Sequence, residues 1–252
     1  GQMLFDASQT WNKQEWRVDE VAAALIADRK VRPFIVVGIA NIEQRRHSEY
    51  FPQKAFALLP AAKQQELLAL ERNGKKLLSD AVVSDAYLKF LVTELKPHID
   101  ANYAVDTSAT ATAIMGSSMG GLISVYALAE YPKVFGGMAA MSTHWPGAFS
   151  ANDDSFPKAM QAYLKQHLPD AGKHRLYFDH GTATLDAWYP PLQKQVDALV
   201  LEKGYDERQW QSREFPGAEH SEKAWAERLD VPLQFLFPPD AARPAATGAK
   251  DD

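Results

Sequence analysis

A chain of 252 residues, 46% hydrophobic and 23% charged, holds enough apolar side chains for one α/β domain with a sizeable core. Its net charge of −5, with no basic run and no basic stripe interleaved with aromatics, argues against a nucleic-acid partner. Cysteine is absent, which rules out disulfides, thiol catalysis and thiolate-held metals, and no apolar stretch approaches the roughly 18 residues of a membrane span.

The chain opens on Gly1-Gln2-Met3-Leu4-Phe5-Asp6, without an initiator methionine and as if inside a loop. A helix is expected over 16–30, with Val18, Val21, Ala22, Leu25 and Ile26 on one face. Residues 32–39, Arg32-Pro33-Phe34-Ile35-Val36-Val37-Gly38-Ile39, read as a buried parallel strand. No strand precedes that helix, so two or three N-terminal strands, and any signal peptide, are expected to lie outside this numbering. The stretch 40–83 is polar and loop-rich apart from a helix near 61–72. Its Arg45, Arg46 and His47 could bind an anionic or hydroxyl-rich substrate, or simply be solvated. A helix follows over 84–102, capped by Ser84 or Asp85, with Leu88, Leu91, Val92, Leu95 and Ile99 apolar and Pro97 bending its last turn.

Further strands are expected at 110–116, 134–142, 174–180 and 210–215, with helical patterns between them. This alternation implies a mostly parallel sheet with helices on both faces. The first of these strands leads into Gly116-Ser117-Ser118-Met119-Gly120, and a helix follows to Tyr131 before Pro132. After the second come Ser142-Thr143-His144-Trp145, where His144 and Trp145 either wall a substrate pocket or are a loop histidine and a core tryptophan. The tail 238–252 is expected to be disordered. No internal repeat, metal-ligand spacing, phosphate loop or dinucleotide fingerprint is present, so neither a metal nor a cofactor is expected.

Between a strand and a helix, G-x-S-x-G is the pattern of a nucleophile elbow, which lifts a serine hydroxyl above the sheet. Side chains two positions either side of such a serine would collide, so Gly116 and Gly120 fill those places. The Met119 N–H, at the helix N-terminus, would face a developing oxyanion. Ser118 then needs a base and the base an acid, in the chain order Ser, Asp or Glu, His. His144, His167, His174, His180 and His220 follow Ser118. His220 lies in a loop just beyond the last strand, where ligands meet parallel sheets. His167 falls on a helix, His174 begins a strand and His180 ends one. Asp186, in the loop after the 174–180 strand, is preferred to Asp179 within it as the acid, since a loop residue can swing beneath the imidazole. Asp186 could instead cap the next helix, where Trp188 and Tyr189 either line an entrance or pack.

Three blocks give the chain a family resemblance. The elbow Gly116-Ser117-Ser118-Met119-Gly120-Gly121, the run Ile35–Ile39 with Arg45-Arg46 and Glu49-Tyr50-Phe51-Pro52, and the ending Gly217-Ala218-Glu219-His220-Ser221-Glu222-Lys223-Ala224-Trp225 resemble the esterase D-like branch of the α/β-hydrolases. That branch includes enterochelin-type, feruloyl and acetyl-xylan esterases, S-formylglutathione hydrolases and mycolyltransferases. The resemblance covers about 1–237 as a single α/β-hydrolase domain. It implies a serine esterase with Ser118 as nucleophile, His220 as base and Asp186 as acid. It also makes Gly1-Gln2 the remainder of a turn whose Gln2 N–H joins Met119 in the oxyanion hole. Small acyl or acylated carbohydrate esters are the expected substrates, with Trp145, His144 and Arg46 against them. A siderophore trilactone esterase and a non-catalytic module that keeps the fold are the alternatives.

Overall fold

The computed structural model describes residues 2–239, apart from 11, 43–44, 73, 80 and 148–152. Two short 3-10 turns, Gln2–Leu4 and Ala7–Gln9, precede α1 (Val18–Ala27). This helix starts at the first residue of its apolar stripe, later than the expected residue 16, because Arg17 stands in the left-handed region at φ 55°. That kink sends Trp16 into the core, 5.7 Å from the Trp225 ring.

The strand expected over 32–39 does not form. Ile35, Val36 and Val37 remain 48%, 41% and 39% exposed. An apolar run becomes a strand only by pairing its backbone groups, and among the described residues no strand lies beside this one. Arg32 anchors the segment elsewhere. Its N–H donates to Phe237 C=O at 3.1 Å, and its guanidinium donates to Thr110 C=O at 3.1 Å.

The polar stretch that follows folds as α2 (Arg46–Tyr50), α3 (Gln53–Ala57), α4 (Ala61–Ala69) and a small antiparallel hairpin, β1 (Glu71–Arg72) with β2 (Lys75–Lys76). The expected long helix is broken into α5 (Ser84–Phe90), a π-helical turn Leu91–Leu95, and α6 (Lys96–Asn102). Pro97 has no N–H for an interior helical bond, so the chain widens ahead of it and restarts with the proline in the first turn. Neither expected residue caps α5. Ser84 Oγ instead accepts the Gln53 N–H at 2.9 Å, and Asp85 accepts the Tyr126 hydroxyl at 2.5 Å.

From here strand and helix alternate: β3 (Ala113–Ser117), α7 (Met119–Glu130), β4 (Gly137–Met141), α8 (Ser155–His167), β5 (Arg175–Gly181), α9 (Pro190–Glu202) and β6 (Trp210–Phe215). Then α10 (Glu222–Ala226) and α11 (Asp230–Leu236) close the described fold. The four strands β3 to β6 lie side by side in chain order and are all parallel, in the register Ala113↔Gly137, Gly137↔Arg175 and Leu176↔Trp210. Successive side chains of a strand face opposite ways. Met138 and Ala140 therefore join α7, α8 and α9 in one apolar cluster, while Ala139 and Met141 join α1 and α11 in the other. The tail expected to be disordered lies outside the described residues from 240 on.

This parallel order has one consequence for function. Every loop leaving a strand at its carboxyl end, after Ser117, Met141, Gly181 and Phe215, opens on the same rim of the sheet. Leu122, fully buried in α7, holds the elbow helix against that sheet. Leu122→Ala is expected to cost about 2–5 kcal/mol in urea unfolding. A change below about 0.5 kcal/mol would contradict the packing.

Candidate active site

Ser118 occupies the turn between β3 and α7 with φ 56° and ψ −121°, a backbone conformation few non-glycine residues adopt. The turn is held from both sides. The Ser118 N–H donates to Met141 C=O at 2.9 Å, and the Ser118 C=O accepts the His144 N–H at 3.2 Å. A Cβ at Gly116 would lie 2.5 Å from the Gly120 carbonyl carbon, so this position tolerates only glycine. Gly120 differs from its expectation, because a Cβ there would meet nothing within 4 Å. The collision belongs to Gly116 alone, whose missing side chain makes room for the Gly120 backbone. Met119 is the first residue of α7, where backbone N–H groups have no helical acceptor and the helix favours negative charge.

The two loops that carry Asp186 and His220 are stitched together. The Thr182 and Ala183 N–H groups donate to Ala218 C=O, the Gly217 N–H to Thr182 Oγ1 and the His220 N–H to Thr184 Oγ1. Their approach is so close that a Cβ at Gly181 would lie 2.1 Å from the Ala218 oxygen. Asp186, in the 3-10 turn Thr184–Trp188, is thereby brought to His220, with Oδ1 2.6 Å from Nδ1. Burial alone would raise the Asp186 carboxyl. Hydrogen bonds from His220, Ser142 and the Gly181 N–H outweigh burial and hold it below the usual carboxylate range.

Asp179 is the other carboxylate considered, and its surroundings differ. It is fully buried in β5, takes the Arg228 guanidinium at 3.0 Å and the Tyr177 hydroxyl at 3.0 Å, and is raised by burial. Its place is in an ion pair behind the rim.

The substrate-side residues separate. Trp145 is a core side chain, 2% exposed, with its indole N–H on Gln193 Oε1 at 2.8 Å. That arrangement fits the core reading of this tryptophan. His144 is buried, and its backbone N–H is the one that holds Ser118. Its Nδ1 is 3.0 Å from the Tyr189 hydroxyl, and the buried Tyr189 ring stands edge-on to His220 at 5.8 Å. Arg46, half-buried at the start of α2, lies 5.6 Å over the Tyr50 ring and within electrostatic reach of Glu222, two residues after His220. Burial lowers its pKa, with Tyr50 and Glu222 acting against that shift.

Gln2 opens the first 3-10 turn. The segment after it follows α10: Asn12 donates to Glu222 at 2.7 Å, Gln14 accepts the Lys223 N–H at 3.2 Å, and the Trp16 N–H donates to Met3 C=O at 2.9 Å. Among the described residues no hydrogen bond joins the Ser118 hydroxyl to His220; in serine hydrolases that bond often tightens only with substrate. Two clefts, of about 410 and 570 Å³, lie at the opposite, amino-terminal ends of the strands and take no part in this site.

Sequence reasoning singled out neither Ser142, which bonds Asp186, nor Arg228, which bonds Ser142. Both are polar residues buried among apolar ones, a property that strand and helix patterns do not reveal. Among the described residues no group of three His, Asp or Glu could hold a metal ion, and no helix is long and apolar enough to cross a membrane.

Comparison with known proteins gives the constellation a family context. The Esterase family, described as "Putative esterase", matches residues 3–236. The enterobactin esterase of Shigella flexneri superposes with a TM-score of 0.61 at 17% identity, over 88% of this chain and 49% of that one. An IroE-like serine hydrolase from Shewanella oneidensis superposes with a TM-score of 0.63 at 16% identity, over 87% of this chain and 66% of that one. These likenesses show a common fold. The uncharacterized protein YbbA of Bacillus subtilis is 25% identical over 158 residues, 60% of this chain and 59% of YbbA. The chain thus spans about half to three-fifths of the first relatives it matches.

Two outcomes follow from this geometry. Gly116→Ala should abolish the elbow, losing activity together with about 1–3 kcal/mol of stability in urea unfolding; a fully active variant would refute the contact with Gly120. Asp186 has a folded-state pKa below its unfolded value, so its contribution to stability is complete above about pH 4 and fades as pH falls through the lower folded value. Unfolding of wild type and Asp186→Asn should therefore differ most near neutrality and converge in acid. A gap that stayed constant down to pH 2 would contradict the depressed carboxyl.

Proposed function

The chain belongs to the Esterase family, and from that premise we propose that it is a serine carboxylic ester hydrolase using Ser118, His220 and Asp186. One observation carries the reading. A serine at φ 56° on a strand-to-helix turn shares the carboxyl rim of a parallel sheet with a histidine whose Nδ1 is bonded at 2.6 Å to a buried carboxylate.

In this mechanism Asp186 keeps the proton on His220 Nδ1, so Nε2 is free to take the Ser118 proton. The Ser118 oxygen attacks the ester carbonyl, and the negative charge moves to the carbonyl oxygen. The Met119 N–H at the start of α7 stabilises that oxyanion, and the Gln2 N–H is its proposed partner. Collapse breaks the bond to the alcohol, which leaves with the proton from His220. Water then adds to the acyl-enzyme, gives its proton to His220, and releases the carboxylic acid and free Ser118.

Small acyl or acylated carbohydrate esters are the proposed substrates. A siderophore trilactone is the second reading, favoured by Arg46, a half-buried cation within electrostatic reach of Glu222 that would suit an acidic ligand. Hydrolysis of p-nitrophenyl acetate and butyrate tests the proposal. Ser118→Ala should reduce kcat by about 10⁴-fold or more, and equal rates for variant and wild type would refute Ser118 as nucleophile.

A further inference from the structure

Behind the Asp186 carboxylate lies a buried chain of polar groups that ester hydrolysis does not by itself demand. Ser142 follows β4 at φ 43° and is fully buried. Three polar atoms surround its hydroxyl oxygen. Asp186 Oδ2 lies at 2.5 Å, the Trp225 indole nitrogen at 3.0 Å and Arg228 Nη2 at 2.9 Å.

The chemistry of these groups fixes the direction of each bond to the Ser142 hydroxyl. Indole and guanidinium N–H groups can only donate, and a hydroxyl has two lone pairs and one proton. Trp225 and Arg228 occupy both lone pairs of Ser142. Its proton can then go only to Asp186 Oδ2, which also takes the Gly181 N–H at 2.6 Å. With Oδ2 holding two donors, the carboxylate is favoured in its ionised form, and Oδ1 is left as the acceptor for a hydrogen on His220 Nδ1, which puts the lone pair on Nε2.

Arg228 is itself held through both terminal nitrogens of its guanidinium. Its Nη2 also donates to Asp179 Oδ1 at 3.0 Å, its Nη1 to Ala224 C=O at 3.2 Å, and its guanidinium lies 5.0 Å over the Phe215 ring. Trp225 acts twice, since its ring also stands edge-on to His220 at 5.0 Å. A buried ion pair such as Arg228–Asp179 is weak evidence for stability, because apolar replacements often serve as well. Sharing one guanidinium nitrogen between that pair and the hydroxyl on the triad acid is what an ion pair needed only for stability would not require.

We propose that Ser142 and Arg228 are positioning residues. Together with Trp225 they aim the Ser142 hydroxyl at Asp186, and so set the orientation of that carboxylate and the tautomer of His220. The inference rests on the esterase reading for its catalytic consequence, but not for its effect on His220.

The test uses the full chain with Ser142→Ala, Ser142→Gly and Arg228→Lys. Glycine suits a left-handed φ, so Ser142→Gly removes the hydroxyl without adding backbone strain. Arg228→Lys keeps a cation for Asp179 but loses the fork that also reaches Ser142. Two readouts are followed: the split between kcat and KM on p-nitrophenyl acetate, and the low-field proton resonance of His220 Nδ1. Each Ser142 variant should lower kcat by about tenfold to a hundredfold with little change in KM, and should move or broaden that resonance. Arg228→Lys should do the same to a smaller extent. A merely structural role would lower Tm while leaving kcat and the resonance at their wild-type values, and that result would overturn the proposal. A wild type that hydrolyses no ester but whose resonance moves in Ser142→Gly would support the relay and sink the esterase reading instead.

Discussion

One fully buried carboxylate organises the site. Asp186 would be expensive to ionise where it stands, and it is ionised because three donors converge on it from three separate segments: His220 after β6, Ser142 after β4, and the Gly181 N–H at the end of β5. Those donors meet only if the three strands are parallel and in their observed register. The chemistry at the rim therefore depends on the sheet, and not on the loops alone.

Ser118 depends on the same frame from the other side. Its strained backbone is held between Met141 C=O and the His144 N–H, one residue before and two after Ser142. The 141–144 segment thus touches Ser118 with its backbone and Asp186 with a side chain. Through the His144–Tyr189 contact it also reaches the ring beside His220. Strain at the serine and order at the acid are supported by one short stretch of chain.

Much of this was legible in the sequence because each signal was local. The G-x-S-x-G spacing, the apolar helix behind it and the run of alternating strands are encoded within a few residues of each other, and the observed elements match them closely from residue 113 on. Asp186 and His220 were singled out by their places just past strand ends, and the fold brings them to 2.6 Å. What could not be read depended on partners distant in sequence. The run Ile35–Ile39 has strand composition, yet a strand is a property of a pair, and among the described residues no strand lies beside it. Trp145 carries no mark of whether it faces ligand or Gln193. Arg228 reads as an ordinary helix-end cation and becomes a site residue only because folding sets it against Ser142, 86 positions away.

The central claim is that the Asp186–His220 pair makes Ser118 a nucleophile. The most direct measurement is the rate at which a fluorophosphonate labels Ser118, located by peptide mass spectrometry, in wild type, Asp186→Asn and His220→Gln. Labelling confined to Ser118, and slowed by about a hundredfold or more in both variants, is the predicted result. Labelling at wild-type rates in either folded variant, or adducts on other residues with Ser118 untouched, would contradict it.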